Sequence, residues 1–281
     1  MKFGQFEIHT FVEQEFRLDG GSIFGVIPKV IWEKLIPADE NNLLPMVNNL
    51  FVLKANGQHF LFDTGLGDAL TAREKKIYNA PGKTHIETGL SKLGLAPEDI
   101  DGVILTHLHT DHAGGAIKST RDGFEPRFPK AVHYVSEAEW DVAMAPDERT
   151  SAAYAPKRLR ALKDAESLEL LTGDTEIQPG IKAIFTGGHT SGHFALEITS
   201  EEQSVFYYAD IFCTTAHLKV PYVPGADLFP METMKIKRHT LPRIVDHDVV
   251  LAFDHDVHTP LARIRQEDGR LFAESVDGDV E

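Results

Sequence analysis

A single cysteine, Cys213, among 281 residues excludes an internal disulfide framework and any zinc–thiolate cluster. It suits a reducing compartment, and a cytoplasmic location is expected. No stretch approaches the roughly 20 apolar residues that a membrane-spanning helix needs. Residues 1–20 interleave Glu7, His9, Glu13 and Glu15 with apolar side chains, so the apolar core of a signal peptide is missing as well. Basic residues are scarce, 28 Lys and Arg against 43 Asp and Glu, for a formal charge of -15. That balance repels a phosphate backbone, and neither nucleic acid nor a membrane is expected as partner. Lys157, Arg158, Arg160 and Lys163 read as the solvated face of a helix. Repeats and low-complexity tracts are also lacking.

What is present is an ordinary folding composition, 42% hydrophobic and 25% charged, enough for a substantial core. One domain over residues 1–281 is expected, with an N-terminal segment at 1–45, a core at 46–272 and an acidic tail at 273–281. Apolar runs on either side of Asn56-Gly57 predict a β-hairpin, whose second strand ends in Asp63-Thr64-Gly65-Leu66-Gly67. Residues 86–94 read as a helix, Val103-Ile104-Leu105 as a buried strand, and residues 131–135 as another strand with Ser136 capping the helix after it. A mostly exposed helix is predicted over 150–165. Strands are predicted at 181–185, 194–198, 204–209 and 249–253, and a closing helix at 261–272, with a frayed tail beyond.

The densest feature is Thr106-His107-Leu108-His109-Thr110-Asp111-His112, directly after a predicted strand. Three imidazoles and a carboxylate in one loop can turn towards a common point. Imidazole nitrogen and carboxylate oxygen suit zinc, and iron, manganese or cobalt as well. Four donors in one loop already point to two ions. Ala113-Gly114-Gly115 follows, with side chains small enough for close backbone packing.

This His-x-His-x-Asp-His loop resembles the signature of the metallo-β-lactamase superfamily, in its lactonase and organophosphate hydrolase branch. The resemblance extends to Gly188-His189-Thr190-Ser191-Gly192-His193, to Ala209-Asp210 after a predicted strand, and to His255 after another. It implies an α/β fold, a four-layer αβ/βα sandwich of two mixed sheets with outer helices. It also implies two divalent metal ions, zinc foremost. His107, His109 and His189 would hold one ion, Asp111, His112 and His255 the other, with Asp210 touching both. Asp63 matches an Asp-x-Gly element that supports the metal loop by accepting from a ligand imidazole, and His193 is a neighbour on the following strand.

A pair of such ions acidifies a water between them, so the implied enzyme is a hydrolase using a metal-bridging hydroxide. Asp111 or Asp210 could return a proton to the leaving group. Asp19 to Trp32 joins a glycine turn to apolar and aromatic side chains. It resembles the segment that lines the substrate pocket in that branch, nominating Phe24, Ile27 and Trp32. The expected substrate is an uncharged lactone or ester, with phosphotriesters as a side class, and a homodimer is compatible with the segment's apolar residues. Acyl-homoserine lactonases place a tyrosine three residues after the bridging aspartate, where this chain has Cys213. A thioesterase of the glyoxalase II type and a non-catalytic metal-binding sensor are the alternatives. A nuclease is disfavoured by the acidic balance, and di-iron redox chemistry by histidine rather than an acid at position 109.

Overall fold

The computed structural model describes residues 1–276. Its first sheet runs β1 (Lys2–Phe3), β2 (Phe6–Asp19), β3 (Leu43–Ala55), β4 (Gln58–Phe62), β5 (Gly102–Ile104), β8 (Val132–Ser136) and β9 (Leu168–Leu171). Between β5 and β8 lies a small ribbon of β6 (Ile117–Ser119) and β7 (Phe124–Pro126). The second sheet runs β10 (Thr175–Gln178), β11 (Ile181–Phe185), β12 (Phe194–Ser200), β13 (Gln203–Tyr207), β14 (Val250–Ala252), β15 (Leu261–Glu267) and β16 (Arg270–Ser275). The helices are α1 (Gly20–Phe24), α2 (Lys29–Trp32), α3 (Ala72–Ile77), α4 (Ile86–Lys92), α5 (Thr110–Ala113), α6 (Glu137–Met144), α7 (Pro156–Asp164) and α8 (Pro230–Asp246).

The layers follow from strand alternation, because successive side chains leave opposite faces of a sheet. In β3 and β4, Phe51, Leu53, Phe60 and Phe62 face inward to meet Phe194, Leu196, Val205 and Tyr207 of the second sheet. Leu50, Val52 and Leu61 face outward, under Ile86 and Leu90 of α4 and beside Leu159 and Leu162 of α7. On the second sheet the outward Phe206 and Leu251 meet Leu241 and Ile244 of α8. Helices therefore cover both outer faces of two packed mixed sheets, as the predicted fold class requires.

The topology also places the site. Strands β4 and β5 are parallel, and so are β13 and β14, so the chain leaves each pair at one edge. Strand β12 is antiparallel to β13 and begins at the edge where β13 ends. The loops after β4, β5, β13 and β14 and the loop before β12 thus open on one rim.

Several expectations need correction. Residues 261–272 are not a helix but strands of the β15–β16 hairpin, whose Asp268 and Gly269 both take positive φ, 48° and 73°. Those values are the two-residue turn that matches strand twist, and Asp-Gly is its preferred sequence. Ala273 to Ser275 end β16, and the remaining tail from residue 277 lies outside the described residues. The N-terminal segment supplies β1 and the 14-residue β2, which pairs along β3, and then the short helices α1 and α2. The helix predicted over 150–165 starts only at Pro156 and buries Leu159, Ala161 and Leu162. Its Arg158 is not solvated but turned inward, donating to both carboxylate oxygens of Glu74 at 2.8 and 2.6 Å. The hairpin at Asn56-Gly57, the strands predicted at 103–105, 131–135, 181–185, 194–198, 204–209 and 249–253, each within a few residues of its expected bounds, and the Ser136 cap, which accepts from the Glu139 N–H at 3.2 Å, stand as expected.

Candidate metal centre

Two donor groups meet at the common rim. His107, His109, His189 and Asp210 form the first, and His112, Asp210, Asp254 and His255 the second, with the donor atoms of each within 4.8 Å of one another. Asp210 belongs to both. In the first group His109 Nδ1 lies 3.1 Å from His107 Nε2 and 3.0 Å from His189 Nε2. Asp210 Oδ2 lies 2.9 Å from His189 Nε2. In the second group His112 Nε2 and His255 Nε2 are 3.2 Å apart, and Asp210 Oδ1 is 3.5 and 3.3 Å from them.

These spacings fit a metal. A tetrahedral ion with bonds of about 2.0–2.1 Å to nitrogen sets its donors about 3.3 Å apart. The ring orientations agree. His112 Nδ1 donates to Asp63 at 3.0 Å, His189 Nδ1 to Asp227 at 2.8 Å and His255 Nδ1 to the Val47 carbonyl at 3.0 Å. Each bond fixes the proton on Nδ1 and turns a lone pair on Nε2 inward, the usual arrangement of a ligand imidazole. Asp210 Oδ1 and both carboxylate oxygens of Asp254 are buried without a hydrogen-bond partner. Buried carboxylates of that kind are costly unless a cation answers them.

Electrostatics in the protein without metal follows from the crowding. Burial and neighbouring imidazoles hold His107 and His109 well below the usual histidine range, so both are neutral. Burial opposes charge at His189 and His255 too, but carboxylates outweigh it. Asp210 and Asp227 push His189 up to about 10, and Asp254 and Asp210 push His255 up to about 9. Burial would raise Asp210, yet His189 and His112 hold it well below the carboxylate range.

Each sequence-nominated residue has a place. His107, His109, His112, His189, Asp210 and His255 converge. Asp111 stands at the edge of the second group, with Oδ2 4.0 Å from His255 Nε2, and takes a 3.3 Å hydrogen bond from the Tyr78 hydroxyl. Asp63 accepts from the Thr106 N–H and hydroxyl, both at 2.8 Å, from His112, and from the Tyr207 hydroxyl at 2.6 Å. One carboxylate thereby ties the metal loop to both sheets. His193 is buried with its ring 5.3 Å from that of His107 and Nδ1 2.6 Å from the Thr186 hydroxyl. Cys213 is buried, its thiol reaching the Asp210 carbonyl at 3.4 Å while its own carbonyl accepts from the His255 N–H at 3.0 Å. It braces the turn between two donors, and burial pushes its thiol up, away from reactivity.

The pocket residues are placed differently from expectation. Phe24 and Trp32 are buried and stacked on each other at 5.2 Å, with Phe24 also stacked on His217 at 5.0 Å. They form a packed cluster instead of an open wall, and Ile27 is half-buried against it. A cavity of about 400 Å³ lies elsewhere, bordered by His255 and walled by Leu35, Ile36, Leu218, Val257 and Phe272.

Sequence reasoning missed Asp254, Asp227 and Tyr78. Asp254 was legible in principle, standing beside His255 at the end of a predicted strand. Asp227 and Tyr78 carry no local signal, because only folding brings them to the donors.

The matching family model, described as the metallo-beta-lactamase superfamily, covers residues 43–256. The chain belongs to the metallo-β-lactamase superfamily. Among its relatives, the N-acyl homoserine lactonase AiiB of Agrobacterium fabrum is 26% identical over 275 residues, 91% of this chain and 95% of that protein. An N-acyl homoserine lactonase of Bacillus cereus is 26% identical over 174 residues, 58% of this chain, and the match spans only 63% of that relative. A probable metal-dependent hydrolase from Staphylococcus aureus superposes with a TM-score of 0.89 at 29% identity, covering 98% of this chain and 99% of that one. The dizinc quorum-quenching lactonase AidC superposes with a TM-score of 0.80 at 18% identity, over 99% and 96% of the two chains, a likeness of fold. Among the described residues no helix is long and apolar enough to cross a membrane.

Proposed function

We propose that this chain is a dinuclear metal-dependent hydrolase of a lactone or carboxylic ester, with zinc at both sites. The observation that carries the reading is the pair of donor groups sharing Asp210, with Nε2 of three imidazoles fixed inward by acceptors on their Nδ1. Two divalent ions held there would supply Lewis acidity for an ester carbonyl and acidify a water as nucleophile. His107, His109 and His189 would hold one ion, His112 and His255 the other, with Asp254 or Asp111 completing the second and Asp210 serving both.

The chain's own residues shape the rest. His107, His112, His189 and His255 are 0–3% exposed, whereas His109, Asp111 and Asp210 are each 8% exposed. Substrate therefore approaches across His109 and the two carboxylates. Asp210 is held ionised and serves as ligand and acceptor. Asp111 is the better placed group to return a proton from Oδ2 to the departing alkoxide, with Tyr78 orienting Oδ1. Burial and Asp111 push the Tyr78 phenol well above its usual range, so it stays a donor. The cavity beside His255 offers Leu35, Ile36 and Leu218 to an acyl chain. The N-acyl homoserine lactonase relatives favour the lactone arm of the reading, although Cys213 stands where those enzymes are expected to carry a tyrosine.

The test is a panel of lactones, aryl esters, thioesters and phosphotriesters, assayed with zinc-loaded and chelator-stripped protein. Lactone or ester turnover that disappears on stripping and returns with zinc is expected. Thioester turnover dominating the panel would replace the substrate class, and metal-independent turnover, or none, would sink the proposal.

A further inference from the structure

One buried carboxylate joins the two loops that carry the first donor group, and it belongs to neither. Glu139, in the first turn of α6, is fully buried. Its Oε1 accepts from the Leu108 N–H at 3.0 Å and from the Tyr154 hydroxyl at 2.8 Å. Leu108 is the residue between His107 and His109. The other carboxylate oxygen of Glu139, Oε2, accepts from the Thr190 hydroxyl at 2.6 Å, and Thr190 follows His189. The same loop presses on the helix backbone at Gly192, where a Cβ would stand 2.2 Å from the Glu139 nitrogen. Tyr154 in turn lays its ring 4.9 Å from that of His109.

The His107–His109 loop leaves the first sheet after β5, and the His189 loop enters the second sheet before β12. One backbone bond, from the Phe194 N–H to the Thr106 carbonyl at 3.1 Å, ties the two loops where they meet the sheets. The Glu139 carboxylate ties them a second time, beside the donors themselves, with its two oxygens serving opposite loops, and three donors offset the cost of burying it. The second donor group is held by other means, His112 by Asp63 and His255 by the Val47 carbonyl.

We propose that Glu139 is a positioning residue that sets the distance between the His107–His109 loop and His189, and thereby the affinity of the first metal group alone. The proposal rests on the dinuclear reading above, since without metal there is no affinity to set. A donor pair moved by a few tenths of an ångström no longer matches both bonds of a tetrahedral ion. Removal of a partner one shell out from a metal typically lowers affinity by about 10- to 100-fold.

The experiment compares wild-type holoenzyme with Glu139→Gln, Glu139→Ala and Thr190→Val. Metal per chain is measured after dialysis against a graded zinc chelator, and zinc X-ray absorption counts the imidazoles on the ion that remains. Wild type is expected to keep two ions. Glu139→Ala is expected to lose one at a chelator strength at least tenfold lower, with the retained ion showing two imidazoles, those of His112 and His255. Glu139→Gln keeps volume and most hydrogen bonds but loses charge and one acceptor, so it and Thr190→Val should lie between. Circular dichroism checks folding, and if Glu139→Ala fails to fold, Glu139→Gln decides. Variants that keep both ions at wild-type affinity, or lose both in parallel, overturn the proposal while leaving the dinuclear reading intact. A wild-type protein that binds no zinc overturns both.

Discussion

Asp210 owes its position to a backbone conformation that few side chains accept. Ala209 before it has φ 41°, in the left-handed region, and the Cys213 thiol holds the Asp210 carbonyl from the other side. Such strain, of order 1–3 kcal/mol, persists where surrounding structure enforces it, and it commonly marks functional turns. Here it aims one oxygen at each donor group. Replacing Asp210 by Asn keeps the shape but removes the negative charge facing four imidazoles. Metal content is expected to fall from two ions per chain to one or fewer, with turnover down at least a hundredfold, as read by elemental analysis and steady-state kinetics. A variant that keeps both ions and its rate would remove Asp210 from the centre. The His107 to His112 motif was plain in the sequence because its donors are neighbours. Asp227, which holds His189, was not, because it comes from a segment 38 residues away.

Among the elements, β2 shows how a strand that carries none of the donors shapes them. Its Glu13 is fully buried and accepts from the Leu66 and Gly67 N–H groups, both at 3.2 Å, fastening the turn after Asp63. That turn packs on the metal loop, since the Thr64 N–H donates to the His112 carbonyl at 2.6 Å. Burial outweighs the hydrogen bonds and pushes Glu13 up to about 7. The folded value lies above that of an exposed carboxyl, so the protonated group's stabilising contribution is complete below about pH 4.5 and is lost as pH rises through 7. The difference corresponds to about 3 kcal/mol. Glu13→Gln is therefore expected to match wild type near pH 5 and to exceed it in denaturant stability at pH 8. Urea titrations at the two pH values check this, and equal offsets at both would contradict it. Element reading from sequence succeeded where periodicity and turn chemistry agreed, as at Asn56-Gly57. It failed at β15, where Arg263 and Arg265 alternate with buried Ala262 and Ile264. Those arginines pair with Asp248, giving charged residues a place on a strand that composition alone assigned to a helix.

On the scale of the whole molecule, protons and metal compete for one rim. His189 and His255, raised to about 10 and 9, are protonated near pH 7 in the protein without metal, whereas ligation needs their neutral nitrogens. Zinc uptake at pH 7 is expected to release protons, detectable by calorimetry in buffers of different ionisation enthalpy. The imidazole contribution to the metal-free fold is complete below about pH 6.5 and is lost as pH rises through 9 to 10. The metal's contribution grows over the same range. The gap in Tm between zinc-loaded and metal-free protein should widen from pH 6 to pH 8.5, and a constant gap would refute the competition.

The sequence by itself determined the positions of most core strands and the dense four-donor loop, because period-two patterning and a donor string are local properties; its resemblance to a known family implied the fold class and most of the side chains that meet at the rim. Tertiary structure alone decided that Phe24 and Trp32 pack against each other, that Asp254 joins the donors, and that Glu139 and Asp227 hold the histidines. Those facts depend on which loops two facing sheets bring to one edge, and residues far apart in the chain carry no mark of that meeting.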